Sequence, residues 1–243
     1  MKRWSWMVAA TVLLALGCGK GVTGDKQVKT DPASRKAEWT WIEGAKKKLD
    51  AKREELASLR QQANSGADVA ASLNKINEEI TQDSDELGRR LADYINVDPP
   101  VPGQPMSPDQ LASVRLKSSE DMAIASEYIE LGGDYRRALD IYNSALAIDP
   151  DNAELKAAIS DAEAKRFMSL ERFGAVKKGM TEGDVITRLG RPLMRNIREY
   201  PEKKVVAWFY PKNDEGEAAG VFFNDKKLVY STEWSAVKRT DAH

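Results

Sequence analysis

A sustained hydrophobic rhythm between residues 35 and 97 constrains this chain more than any other feature. In the first half Ile42, Ala45, Leu49, Leu56, Leu59 and Ala63 recur at spacings of three and four, broken at Lys52. In the second half Val69, Leu73, Ile76, Ile80, Leu87 and Tyr94 keep the same beat, broken at Asp83 and Arg90. Such a pattern suits helices that bury one stripe against another helix. Lys46, Lys47, Glu54 and Glu55 fall on the outer faces. Asn64-Ser65-Gly66-Ala67-Asp68 separates the halves with turn-forming residues. A break this short favours an antiparallel hairpin; pairing between chains is the other arrangement the pattern permits. Trp39 and Trp41, near the open end, are expected to cap the hairpin core.

Asp98-Pro99-Pro100-Val101-Pro102-Gly103-Gln104-Pro105 interrupts the helical pattern, and residues 98–106 are predicted to form a stiff linker. Ser107-Pro108-Asp109-Gln110 starts a new helix: Ser107 can cap it, Pro108 suits its first turn, and Gln110 can close a capping box. Residues 107–173 read as a helical domain. Within it, Gly133-Asp134-Tyr135, Ala138, Tyr142, Ala145-Leu146 and Asp149-Pro150-Asp151-Asn152 resemble one tetratricopeptide (TPR) repeat. In that pattern the two alanines let helices approach, Tyr142 fills the gap and Pro150 stops the second helix. The family binds peptides, which implies a groove. Glu120, Ala123, Glu127 and Glu130 share the face that would line it, so an acidic groove for a basic peptide is one expectation and an ordinary solvated face the other.

The last piece, residues 174–238, mixes a short helix with strands. Thr181 can cap a helix of about two turns with help from Asp184; Val185, Ile186 and Leu189 form its buried stripe, and Gly190 should end it in the left-handed conformation before Pro192. Strand-like runs follow at Arg195–Tyr200, Val205–Tyr210, Ala219–Phe223 and Leu228–Trp234, with Asn224-Asp225-Lys226-Lys227 suited to a tight hairpin. The order Gly179-Met180-Thr181, Leu189-Gly190-Arg191-Pro192, Trp208-Phe209-Tyr210, Val221-Phe222-Phe223, Lys227-Leu228-Val229 resembles the SmpA/OmlA domain of outer-membrane lipoproteins, the BamE-like family of the β-barrel assembly machinery. The middle strand alternates Val206, Trp208 and Tyr210 with Val205, Ala207 and Phe209, so both its faces are apolar. The short helix can cover one face. Residues 153–178, with Leu155, Ile159, Phe167, Leu170 and Phe173, are expected to cover the other, with a partner as the alternative. The predicted class is therefore α+β: an antiparallel helical hairpin, TPR-like helices, then a small α/antiparallel-β domain.

At the start of the chain, Lys2 and Arg3 precede an apolar run that closes on Gly17 and the sole cysteine, Cys18. The run has the layout of a secretory signal and falls short of the ~20 residues a spanning helix needs. Leu14-Ala15-Leu16-Gly17-Cys18 resembles the bacterial lipobox, although Ala15 stands where leucine is usual. That resemblance implies a signal peptide over residues 1–17, a diacylglycerol on the Cys18 thiol and a membrane-anchored mature chain. Gly19, in place of the aspartate that retains many such proteins at the inner membrane, favours the outer membrane, with the body facing the periplasm. Residues 18–34, rich in Gly, Lys and Asp, are expected to be a flexible tether.

Composition narrows the chemistry. The formal charge is −1, and loss of Lys2 and Arg3 with the leader makes it −3, which argues against nucleic acid as a partner. With one cysteine and one histidine, the terminal His243, a Ser-His-Asp triad, an HExxH site, a CxxC pair or a cysteine zinc site cannot be assembled. The expectation is a non-enzymatic scaffold for envelope proteins, with no cofactor beyond the lipid on Cys18. The alternative is a module that binds envelope lipid, lipopolysaccharide or peptidoglycan. Glu120, Glu127, Glu130, Trp208 and Tyr210 are the candidate contact residues.

Overall fold

The computed structural model describes residues 31–101 and 103–238. These residues form seven α-helices followed by a four-stranded antiparallel sheet, an α+β architecture. Cys18, the lipobox and most of the tether lie outside the described residues.

α1 (Pro32–Asn64) and α2 (Ala70–Val97) pack as the antiparallel hairpin that the rhythm predicts. Ile42, Leu49 and Leu56 of α1 meet Ile76, Ile80, Leu87, Leu91 and Tyr94 of α2 in one buried cluster. α1 starts inside the span expected for the tether. Pro32 sits in its first turn, where a missing N–H is no loss. The open end is closed by Trp39 and Trp41, both packed against the cluster, with the Trp39 ring 5.3 Å from that of Tyr94.

Two of the polar interruptions face each other across the seam. Lys52 Nζ lies 2.8 Å from Glu79 and 2.9 Å from Asp83. Arg90 donates to Glu38 and lies over the Trp41 ring at 3.6 Å. Arg90 does not break the stripe, however. The apolar series passes through buried Leu91 beside it, keeping spacings of four and three from Leu87 to Tyr94.

α3 (Pro108–Gly132) begins with the expected capping box between Ser107 and Gln110. It is one continuous helix serving two cores. Leu116, in its first half, packs on the hairpin cluster, while Ala125 in its second half joins α4 (Tyr135–Ile148) and α5 (Ala153–Arg166). Ala138, Tyr142, Ala145, Leu155 and Ala162 fill that second core, and the Tyr142 hydroxyl lies 3.3 Å from that of Ser126. The start of α3 is tied back to the hairpin. Asp109 accepts from Arg35 and from the Tyr94 hydroxyl (2.7 Å), so the proline-rich stretch joins elements that are in contact.

α6 (Leu170–Gly174) and α7 (Glu182–Leu189) precede the sheet. Thr181 and Asp184 form the capping box of α7. Gly190 ends α7 at φ +83, the positive φ expected of it, but with ψ 172, outside the left-handed helical well and in a region open essentially to glycine alone. The strands β1 (Ile197–Tyr200), β2 (Val205–Pro211), β3 (Ala218–Phe223) and β4 (Val229–Val237) run as a meander in sequence order. At the β3–β4 turn the Asn224 side chain accepts from the backbone of Lys226 and Leu228, and Lys227 takes φ +58. The third core lies on one face of this sheet, where Val206, Trp208, Tyr210, Val221 and Phe223 meet Met168, Phe173, Val185 and Leu189.

Candidate functional site

The structure redistributes the candidate contact residues. Glu120 is only 5% exposed. Its carboxylate accepts from the two terminal guanidinium nitrogens of Arg53 at 3.0 Å, and Lys46 Nζ stands 3.2 Å away. Burial works against the Arg53 charge, but the bond to Glu120 together with the nearby charges of Glu120, Glu127 and Asp50 outweighs it and raises the Arg53 pKa. Burial pushes the Glu127 carboxyl above its usual range, against the opposing pull of Arg53 and Arg60. The expected acidic groove is therefore corrected: most of this face is matched by cations of α1, and only Glu130 at its far end is exposed.

Trp208 and Tyr210 are likewise corrected as contact residues. They are 6% and 4% exposed and belong to the sheet core. The Trp208 ring packs 4.5 Å from Phe223. The Tyr210 hydroxyl donates to the Gly190 carbonyl (3.1 Å), and burial raises its pKa. Their inward orientation follows from the period of two, because α6, α7 and Met168 pack on the face that carries Val206.

Residues 153–178 do not cover the opposite face as expected. Leu155 and Ile159 pack in the second helical core, Phe173 sits on the α7 side, and Leu170 is exposed. The outer face keeps its own aromatic row. Phe209 stands edge-on to Phe222 at 6.2 Å, and Phe222 lies 6.3 Å from Tyr230, which is 40% exposed. None of these three belongs to any of the three cores. The alternation of β2 already showed that two faces needed cover; the Tyr230 contribution depends on the β3–β4 register.

A second feature lies where the α3–α4 corner meets the loop between α7 and β1. Gly133, at φ +63, brings its backbone against Arg191-Pro192-Leu193, and a Cβ there would overlap the Arg191 carbonyl oxygen and stand 2.8 Å from the Pro192 carbonyl carbon. Arg172 donates to the Leu189 carbonyl (3.0 Å), and Met168 N–H donates to the Pro211 carbonyl (2.7 Å). Burial raises the pKa of Tyr135, which sits beside Gly190. Beside this contact opens a cleft of about 290 Å³. Arg136, Lys165, Arg166, Arg191 and Arg195 line it, against the carboxylates Asp134 and Asp214.

Among the described residues no three His, Cys, Asp or Glu side chains are grouped to hold a metal ion, and no helix is long and apolar enough to cross a membrane. No protein-family model, curated protein or solved structure matches this chain.

Proposed function

We propose that this protein is a non-enzymatic lipoprotein of the bacterial outer membrane, anchored through Cys18 and facing the periplasm. It acts there as a scaffold for envelope proteins, with barrel assembly as the candidate process. In this reading α3–α5 form the TPR-like unit and residues 174–238 the SmpA/OmlA-like module. The observation that carries the contact role is the outer aromatic row Phe209, Phe222 and Tyr230, which belongs to none of the three cores formed by the described residues. Phe209 and Phe222 are half-buried and Tyr230 is exposed, and an apolar patch of this kind is a feature of interaction surfaces. The lipobox-like sequence at Cys18 supports the address.

Crosslinking in intact cells, followed by capture from detergent-solubilised membranes, tests the role. Envelope-assembly proteins should be recovered with the native chain and lost with Phe222→Ser. Recovery of no envelope protein, or an unchanged set with that variant, would overturn the contact surface. Cys18→Ser should abolish incorporation of labelled fatty acid and release the protein from membrane fractions.

A further inference from the structure

The cleft beside Gly133 holds more positive charge than the fold uses. Lys165 is paired with Asp161, and Arg166 with Asp214. Asp134 is occupied in capping α4 through the Arg137 N–H. Arg136, Arg191 and Arg195 are different. Their guanidinium groups make no hydrogen bond or ion pair with any described residue, yet all three line the same cavity. They arrive from separate elements: Arg136 from the first turn of α4, Arg191 from the loop after α7, and Arg195 from the turn before β1. Local sequence gives no reason for that convergence. It exists because the Gly133 backbone docks on Arg191-Pro192-Leu193.

We propose that this cleft is a binding site for a small phosphate-bearing anion. The planar arginine fork matches phosphate oxygens with paired charge-assisted hydrogen bonds. Five cations against two carboxylates leave the cleft net positive, and walls of low polarity strengthen such a field; Phe167, Pro192 and Leu193 supply those walls. The volume of about 290 Å³ lies at the small end of ligand pockets, which run from about 300 to 1,000 Å³. That size suits a headgroup or a single phosphorylated fragment and not a macromolecule. The same phosphate chemistry could be offered by a soluble compound or by a lipid headgroup at the membrane surface. The site does not depend on the scaffold reading, since none of its residues belongs to the outer aromatic row.

Calorimetric titration of the full chain, in uncharged detergent at low ionic strength, tests the site with pyrophosphate as the probe. Saturable binding is expected, with affinity falling about tenfold in Arg191→Gln/Arg195→Gln, equivalent to about 1.4 kcal/mol. Both side chains are exposed, so the thermal midpoint without ligand should stay unchanged and loss of binding cannot be mistaken for misfolding. Mixed micelles with and without phosphatidic acid identify the source. Displacement of pyrophosphate by the charged micelles assigns the site to a lipid headgroup, and no displacement assigns it to a soluble phosphorylated ligand. No saturable binding at millimolar pyrophosphate, or equal affinity in the native chain and the double variant, overturns the proposal.

Discussion

Glu120 stands on a helix face that is acidic in one dimension and largely neutralised in three. Its partner Arg53 is 67 residues away, so nothing within α3 reveals that the carboxylate is already engaged. Removing one member of a mostly buried pair leaves the other charge poorly compensated, at a cost of about 3 kcal/mol. Glu120→Gln should lower unfolding stability by about that amount in urea denaturation, while Glu130→Gln, on the exposed end of the same face, should change it by less than about 0.5 kcal/mol. Gly133 offers a second contrast between residues of one type. Gly66 and Gly133 both adopt positive φ, but a Cβ at Gly66 meets open space while one at Gly133 meets the backbone of Arg191 and Pro192. Gly66→Ala should cost about 1 kcal/mol, the strain of the left-handed region alone. Gly133→Ala should cost clearly more, because the α7–β1 loop must also move; equal losses of thermal midpoint would refute the close packing.

At the scale of elements, the hairpin shows what polar breaks in an apolar rhythm are for. Lys52 answers Glu79 and Asp83 on α2, and hydrogen bonding to these acids raises the Lys52 pKa. Such pairs add little net stability but penalise other registers and partners. Lys52→Leu/Asp83→Leu should therefore raise the thermal midpoint and also produce self-associated species, detectable by light scattering after size exclusion. A variant that stayed wholly monomeric would show that the pair does not set specificity. The short helix α7 depends on its cap. Thr181 accepts from the Asp184 N–H while Asp184 accepts from Thr181, so Thr181→Ala should cost about 1 kcal/mol by thermal denaturation. These elements were legible because caps and periodicity act over a few residues. Leu91 was harder to read only because a charged neighbour masked it, and the four-three spacing from Leu87 to Tyr94 was the signal that could have found it.

Across the whole molecule, α3 and the Gly133 contact join three cores built from consecutive stretches of the chain. Charged pairs hold the hairpin together and tie the start of α3 to it, which makes stability depend on pH. Hydrogen bonds from Arg90 hold the Glu38 carboxyl below its usual range. Burial of Asp109 acts upward, but bonds from Tyr94 and Arg35 outweigh it and leave that carboxyl lowered too. A lowered folded pKa stabilises above the unfolded value, and the contribution disappears as pH falls through the folded one. Asp121 and Glu127, raised by burial, work the other way and regain stability as they protonate above the usual carboxylate range. The thermal midpoint should thus hold or rise slightly on mild acidification, then fall below about pH 4. Glu38→Gln should lower the neutral midpoint and flatten the acid limb; an unchanged limb would show that the Glu38–Arg90 tie does not govern it. The sequence by itself determined the class, the capped starts of α3 and α7, the strand runs and the hairpin, because each rests on local periodicity, capping and turn chemistry. Only the tertiary structure decided which strand face is buried, that Glu120 is neutralised, and that three arginines with no ion-pair partner among the described residues share one cleft. Those outcomes depend on segments far apart in the chain, whose contacts leave no periodic trace in either segment alone.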